Sequence, residues 1–423
     1  MRPNLFPQMS ISKMCFNKIS LRWLFLKGLA ALAVSLVAAC GGGGDTSPAP
    51  APLPLAASNV MRVTVDSGPS GNQVNRLYAS VTICAPGSTT QCQTIDHILV
   101  DTGSTGLRLL SSVISPALGL SRVTGTTGLP LLNCAQFVDN TFAWGPVAVA
   151  DVLLGGKSAS SVPIQIISDP AFIGLAAVCS SGDVITSPAN LGANGILGLG
   201  LFKEDCGSRC AATAVNGFYY SCGTASCTTA VRSVASLARQ LKNPVALFAA
   251  DNNGMLIDLP AVNVAGTSSL TGSLVFGIGT QSNNQPASAS VLTTNGGNIT
   301  TLFAGKSLDT SFIDTGSNGL YFDSSTIPAC AGAASGFYCP ASLTNLSATM
   351  VGANGVSMPV AFSINNALTS FSSGNLAVIP TLSGSIGDAR TFDWGLPFFY
   401  GRRVFSGIEG QSSSLGTGPF YAF

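Results

Sequence analysis

The sequence is poor in charged residues and contains almost no histidine. Charged residues make up 9% of the 423 residues, whereas about 25% is typical of soluble domains. The formal net charge is +1, and no basic patch is present that could hold phosphates, so we predict no nucleic-acid partner. The 46% share of hydrophobic residues excludes a disordered chain, and the 48 glycines indicate many short strands joined by turns.

His97 is the only histidine. Zinc, copper and non-haem iron sites usually take two or more histidine ligands, so the sequence predicts no metal and no cofactor. A Ser-His-Asp mechanism would have to use His97, and no Gly-x-Ser-x-Gly motif accompanies it. Carboxylates are therefore the natural candidates for any chemistry.

The N-terminus has the pattern of an export signal. We predict a signal peptide over residues 1–39, because scattered basic residues precede an apolar run, 28–39, that is too short to span a bilayer. Small residues before Cys40 resemble a bacterial lipobox, which implies cleavage before Cys40 and lipidation of that residue. The alternative is a plain signal peptide cut near Ala39. The segment 40–57 is rich in glycine and proline and is predicted to be a tether.

The lipobox resemblance also implies a location. Gly41 stands where an aspartate often retains lipoproteins in the inner membrane, so we expect the cell envelope and specifically the outer membrane. Contact with the membrane is expected through the lipid anchor only. The leader holds none of the 18 acidic residues, so the remaining chain is net acidic.

Ten cysteines follow Cys40, and an even number in an exported chain predicts five disulfides. Spacing predicts three of the pairs: Cys84–Cys92, Cys330–Cys339 and the longer Cys134–Cys179. The other four cysteines could pair locally or in a nested manner, or form a four-thiolate zinc site. They are Cys206, Cys210, Cys222 and Cys227.

A twelve-residue motif occurs twice. Residues 101–112 read DTGSTGLRLLSS and residues 314–325 read DTGSNGLYFDSS, and the two agree at eight positions. Each copy follows an apolar run, so each aspartate is expected where a buried strand ends in a glycine turn. If a duplicated fold brings the two turns together, Asp101 and Asp314 face each other and cannot both ionise, so they share one proton.

With these motifs the chain resembles the pepsin-like aspartic proteases, as a bacterial, lipoprotein-type relative. Residues 194–199 (NGILGL) match the apolar element that crosses behind the first catalytic loop, 233–241 resemble the family's short helix before a strand at 247–248, and 272–277 match a strand that opens the second half. The resemblance implies an all-β, bilobal fold. Two lobes related by a pseudo-twofold axis, 58–248 and 249–423, would enclose a central cleft.

The resemblance also implies roles for individual residues. Asp101 and Asp314 would be catalytic, activating one water molecule to hydrolyse a peptide or protein substrate. The hydroxyl groups of the serines would donate to the carboxylates, and the threonines would brace the two loops against each other. The supporting residues are Thr102, Gly103, Ser104, Thr315, Gly316 and Ser317. We expect a monomer.

The chain departs from the family pattern in the region of the flap, the hairpin that covers the cleft. Residues 137–156 contain no tyrosine, so Phe142 or Trp144 would replace the flap tyrosine or belong to the core. Arg108 stands at the family's tryptophan position, and Asp393 interrupts the second apolar crossing element. These departures leave two alternatives: a non-catalytic lipoprotein that binds peptide or glycan in the same cleft, and a structural surface protein.

Overall fold

The computed structural model describes residues 58–423. The predicted signal peptide, Cys40 and the tether lie outside the described residues. Within 58–423, none of the helices combines the length and the apolar character that a membrane crossing needs.

The described chain consists almost entirely of strands and turns. The strands up to residue 258 are β1 (Val60–Val65), β2 (Leu77–Cys84), β3 (Cys92–Asp101), β4 (Thr105–Leu110), β5 (Leu131–Gln136), β6 (Thr141–Leu154), β7 (Lys157–Ile167), β8 (Asp183–Val184), β9 (Gly195–Leu199), β10 (Tyr219–Cys222), β11 (Ala230–Arg232) and β12 (Gly254–Asp258). The α-helices α1 (Pro188–Leu191), α2 (Ser208–Ala212) and α3 (Ala367–Ser372) are short.

The remaining strands are β13 (Leu270–Phe276), β14 (Val291–Thr293), β15 (Ile299–Phe303), β16 (Lys306–Ile313), β17 (Leu320–Phe322), β18 (Thr344–Val351), β19 (Ser357–Ile364), β20 (Ser383–Gly384), β21 (Phe392–Trp394), β22 (Arg403–Gly407), β23 (Ser412–Ser413), β24 (Gly416–Thr417) and β25 (Phe420–Ala422). Short 3₁₀ helices cover 111–113, 116–118, 173–178, 237–239, 244–247, 282–284, 332–334 and 396–399. The predicted all-β class is therefore confirmed.

The largest sheet within residues 58–423 has 16 strands and contains strands from both halves of the chain. β1 joins the halves, because it pairs with β2 on one side and with β13 on the other, and both pairings are antiparallel. The β1–β13 register runs from Val60 opposite Val275 to Val65 opposite Leu270. A sheet of seven strands belongs to the second half, in the order β19-β18-β15-β16-β21-β17-β20. The predicted lobe boundary after residue 248 stays a prediction.

The two halves repeat one strand arrangement around the duplicated motif. In the first half, β9 runs parallel to β3 and antiparallel to β4. In the second half, β21 runs parallel to β16 and antiparallel to β17. Each motif therefore joins two strands that are bridged by a third, crossing strand, as the pepsin-like resemblance predicted.

Aromatic side chains fill the core beneath the second motif. The ring of Phe392 stacks on Phe322, with 4.8 Å between centroids, and on Trp394, with 4.0 Å. Phe303 and Phe362 meet the same group edge-on. Aromatic contacts of this kind contribute about 0.5–1.5 kcal/mol per pair beyond the burial of area, so they hold β17 and β21 firmly together.

Five disulfides join all ten cysteines of residues 58–423. The pairs Cys84–Cys92, Cys134–Cys179 and Cys330–Cys339 confirm the predictions from spacing. The open cluster pairs locally, as Cys206–Cys210 and Cys222–Cys227. The alternative of a zinc site is wrong, because all four thiols are used in disulfides.

The prediction of a helix over 233–241 is wrong. Only Leu237–Arg239 is helical, as one 3₁₀ turn, and 247–248 is not a strand, since Pro244–Leu247 forms another 3₁₀ turn. The backbone N–H of Ala235 instead donates to the carbonyl of Cys210. This long-range bond competes with helix formation, and tertiary context overrides the local preference.

Candidate active site

The two motif aspartates lie at the ends of buried strands. Asp101 is the last residue of β3, and Asp314 directly follows β16. Their exposed fractions are 1% and 0%. Buried carboxyl groups need hydrogen-bond donors, because removing their charge from water is costly.

The first loop supplies two donors to its own aspartate. The backbone N–H of Gly103 donates to Oδ1 of Asp101 at 2.8 Å. The hydroxyl of Ser104 donates to Oδ2 at 2.5 Å. Each oxygen of the carboxyl group thus has a donor that is fixed by the turn itself.

The second loop repeats this geometry. The backbone N–H of Gly316 donates to Oδ1 of Asp314 at 2.8 Å, and the hydroxyl of Ser317 donates to Oδ2 at 2.9 Å. The sequence repeat is therefore a repeat of the hydrogen bonds around each carboxyl group.

Two threonines bind the loops to each other. The N–H of Thr102 donates to Oγ1 of Thr315 at 3.1 Å, and the N–H of Thr315 donates to Oγ1 of Thr102 at 3.0 Å. The hydroxyl of Thr315 donates to the carbonyl of Val100 at 2.7 Å, and that of Thr102 donates to the carbonyl of Ile313 at 3.4 Å. This reciprocal set fixes the spacing of the two halves at the motifs.

Each carboxyl group lies against the glycine of the opposite loop. A Cβ atom on Gly103 would lie 2.8 Å from Cγ of Asp314. A Cβ atom on Gly316 would lie 2.7 Å from Oδ1 of Asp101. These separations are too short for any side chain, so both positions require glycine and the two carboxyl groups face each other.

The electrostatics of the pair favour a proton on Asp314. Burial raises the pKa of Asp314 well above the usual range, and the negative charge of Asp101 raises it further. A hydrogen bond between the two carboxyl groups acts in the same direction, while the donors Gly316 and Ser317 oppose the rise. Two facing carboxyl groups with one proton can act as an acid and a base at the same site.

A buried ionic network lies behind the first loop. Nη2 of Arg108 is 3.6 Å from Oδ2 of Asp205. The hydroxyl of Tyr219 donates to Oδ1 of Asp205 at 2.6 Å, and the amide of Asn133 donates to Oδ2 at 3.0 Å. Burial raises the pKa of Asp205 to about 6, against the lowering effect of Arg108 and the two donors.

The sequence pattern did not predict this network. Arg108 was visible only as a departure from the family's tryptophan, and its partner Asp205 lies far along the chain. An arginine within the otherwise apolar strand β4 was the one available signal, since a buried arginine requires an acidic partner. Burial lowers the pKa of Arg108, and the charges of Asp205 and, more weakly, Asp101 act against this lowering.

A third buried acid lies behind the second loop. Asp393 is 0% exposed, and neither of its carboxyl oxygens has a hydrogen-bond partner among residues 58–423. Burial raises the pKa of Asp393 well above the usual range, and the charge of Asp314 adds to this rise. Ser317 acts against the rise as a nearby hydrogen-bond donor, but its hydroxyl donates to Oδ2 of Asp314 at 2.9 Å and is not within hydrogen-bond geometry of Asp393.

The aromatic residues of the hairpin β5–β6 do not serve as a lid. Phe142 and Trp144 are buried in a core with Tyr220 and Phe172, and the indole N–H of Trp144 donates to the carbonyl of Phe172 at 2.9 Å. The expectation that either ring replaces the flap tyrosine is therefore corrected: both belong to the core. Cys134 of β5 is also tied to the segment after β7 by its disulfide with Cys179.

Two surface cavities among the described residues are lined by no residue of either motif. One of about 920 Å³ is lined by residues that include Tyr220 and Arg232. Another of about 500 Å³ lies beside Arg402 and Phe423. Neither is lined by a motif residue, so the candidate site rests on the paired loops and not on a cavity.

The comparisons with known proteins place the chain in a family. No curated protein matches its sequence. Among solved structures, an aspartic proteinase from Irpex lacteus is similar, with 14% sequence identity over 86% of this chain and 96% of that chain and a TM-score of 0.45. A family model described as "Protein of unknown function (DUF3443)" matches residues 55–423, and the chain belongs to this family.

Proposed function

We propose that the chain is an aspartic endopeptidase that hydrolyses peptide bonds in peptides or proteins through Asp101 and Asp314. One observation carries the proposal: each carboxyl group lies against the glycine of the opposite loop, with its own loop donating to both of its oxygens. Separate structural turns would not require this mutual arrangement.

The proposed reaction needs one water molecule and one proton on the pair. Ionised Asp101 accepts a proton from the water as the water attacks the carbonyl carbon. Protonated Asp314 donates a hydrogen bond, and then its proton, to the carbonyl oxygen as negative charge develops there. Asp101, which now holds the proton of the water, gives it to the amide nitrogen as the C–N bond breaks. Asp314 takes a proton back from a hydroxyl of the tetrahedral intermediate, so that a carboxylic acid and an amine are released and the pair again holds one proton.

The proposal includes a cellular location for the enzyme. With Cys40 lipidated, the segment 40–57 would tether the folded part to the envelope membrane, and we propose the outer membrane. We propose that this glycine- and proline-rich tether lets a monomer reach substrates near the membrane surface. Lipidation and location are proposed from the leader sequence alone.

A non-catalytic binding protein is the second candidate, and one observation favours it. The hairpin that covers the cleft in pepsin-like enzymes has no tyrosine here, and its aromatic residues Phe142 and Trp144 are buried in the core. A site without a lid excludes water poorly. The paired carboxyl groups would then contact a peptide or glycan without cleaving it.

A peptide-library digest distinguishes the two candidates. The mature chain with Cys40→Ser keeps every described residue and cannot be lipidated. We expect it to cleave peptides at acidic pH, as detected by mass spectrometry, and Asp101→Ala to cleave none. Asp309→Asn is the matched control, since this aspartate is exposed and pairs with Arg390 at the surface. Binding of peptides without cleavage at any pH would support the second candidate.

A further inference from the structure

Asp393 occupies the crossing strand of the second half. β21 lies between β16 and β17, with Asp393 opposite Phe312 on one side and opposite Tyr321 on the other. Its carboxyl group is fully buried, and the one donor close to it, the hydroxyl of Ser317, is engaged by Asp314 at 2.9 Å, so neither oxygen of Asp393 has a donor of its own among residues 58–423. A buried acid in this state is stable only while it is neutral.

The strand that carries Asp393 also holds the second motif. The backbone N–H of Asp314 donates to the carbonyl of Trp394 at 3.1 Å. The N–H of Leu396 donates to the carbonyl of Ser317 at 2.8 Å. A displacement of β21 and of Leu396, which follows it, is therefore expected to disturb Asp314 and its hydroxyl donor Ser317.

The groups around Asp393 are acidic or neutral. Asp314 and, more weakly, Asp101 face it from the two loops. Tyr321 on β17 and Tyr421 on β25 lie within range of its charge.

A basic side chain lies nearby but is directed elsewhere. Nη1 of Arg76 donates to the carbonyl of Gly316 at 3.3 Å, and its charge acts on Tyr321. Within the described part of the chain, no basic group acts on the Asp393 carboxyl itself. A negative charge on Asp393 would remain uncompensated.

The first half has a buried charge beside its own crossing strand, and there the charge is paired. In β9 the residue at the equivalent register is Ile196, which lies opposite Arg108. Arg108 is buried but paired with Asp205. The second half has an acid at the crossing strand and a tyrosine opposite it, so the compensating charge is missing on this side only.

We propose that Asp393 is a positioning residue that holds the second loop in place while it is protonated and releases it when it ionises, so that the site is confined to acidic pH. In its consequence for activity this inference rests on the proposed function. The direction of the titration supports it, because burial and the charge of Asp314 both raise the pKa of Asp393. A group whose pKa is higher in the folded than in the unfolded state stabilises the fold fully at pH values below its unfolded-state pKa. This stabilisation is lost as the pH rises through its folded-state pKa.

Thermal unfolding between pH 4 and pH 8 tests the inference without any substrate. We expect the unfolding midpoint of the mature Cys40→Ser chain to fall as the pH rises. The midpoint of Asp393→Asn, which keeps the shape and removes the charge, should fall by less, with a difference from the parent of at least about 2 °C at pH 8 and a much smaller one at pH 4, near the ordinary pKa of an aspartate. Asp309→Asn should behave as the parent. Equal pH dependence in the parent and in Asp393→Asn would overturn the inference.

Hydrogen exchange of the parent chain gives an answer even if the substitution prevents folding. After correction for the intrinsic exchange rate, amides of 311–320 and 390–397 should lose protection between pH 5 and pH 8, before the strands of the first half do. Unchanged protection in these two segments would overturn the inference.

The activity of the same variants separates this inference from the proposed function. If peptides are cleaved, the alkaline limit of kcat/KM should move to higher pH in Asp393→Asn, and an unchanged limit would count against the inference. If no peptide is cleaved at any pH while Asp393→Asn still removes the alkaline loss of stability, the proposed function fails and the structural role of Asp393 stands.

Discussion

Gly103 lies directly against the carboxyl group of Asp314, a residue of the other half of the chain. A Cβ atom at position 103 would be 2.8 Å from both Cγ and Oδ1 of that group. The contact shows that the two motifs are built around each other, since the first loop leaves room for the acid of the second. The same relationship holds between Gly316 and Asp101.

Gly103→Ala is therefore expected to destabilise the protein and to separate the carboxyl groups. Overpacking of this kind costs about 1–3 kcal/mol. The free energy of unfolding in urea should fall by that amount. Gly174→Ala is the control, because nothing lies within 4 Å of a Cβ atom there. Equal stability of the two variants would show that the loops are not in close contact.

Thr102→Val and Thr315→Val should each weaken the connection between the halves. Each removes a hydroxyl that accepts from the other loop and donates to a backbone carbonyl. We expect a loss of about 1–3 kcal/mol for each, because buried backbone groups are left unpaired. In a double-mutant cycle the two losses should not add. Additive losses would mean that the threonines act independently.

Arg108→Met should be strongly destabilising. It leaves Asp205 buried without its cation, and breaking a buried pair in this way costs about 3–5 kcal/mol. Arg390→Met, which breaks the exposed pair with Asp309, should change the urea midpoint little, because water and salt screen an exposed ion pair. Similar urea midpoints for the two variants would show that the Arg108 network contributes little.

The proposed lipid on Cys40 can be tested by mass spectrometry of the mature N-terminus. We expect a terminus at Cys40 with the added mass of a diacylglyceryl and an acyl group. Cys40→Ser should release the protein from the membrane fraction, and Cys15→Ser, within the leader, should not. An unmodified terminus near Ala39 would support a plain signal peptide instead.

The sequence predicted the parts of the site that are encoded locally. The duplicated DTGS motif identified both loops, because the turn glycines, the hydroxyl donors and the preceding apolar strand are contiguous in each copy. The network of Arg108 and Asp205 could not be predicted, since these residues meet only when β4 packs against a distant segment. The positions of Phe142 and Trp144 also depended on tertiary packing, because an aromatic residue in a hairpin suits a lid and a core equally well.

The most direct test of the central claim is the pH dependence of cleavage of one identified peptide by the parent chain, Asp101→Asn and Asp314→Asn. The parent rate should rise towards acidic pH and fall as the pair loses its single proton, because Asp314 must be protonated while Asp101 is ionised. Each variant should lose cleavage completely across the range while remaining folded. Cleavage retained by either folded variant would contradict the claim that the two aspartates act together.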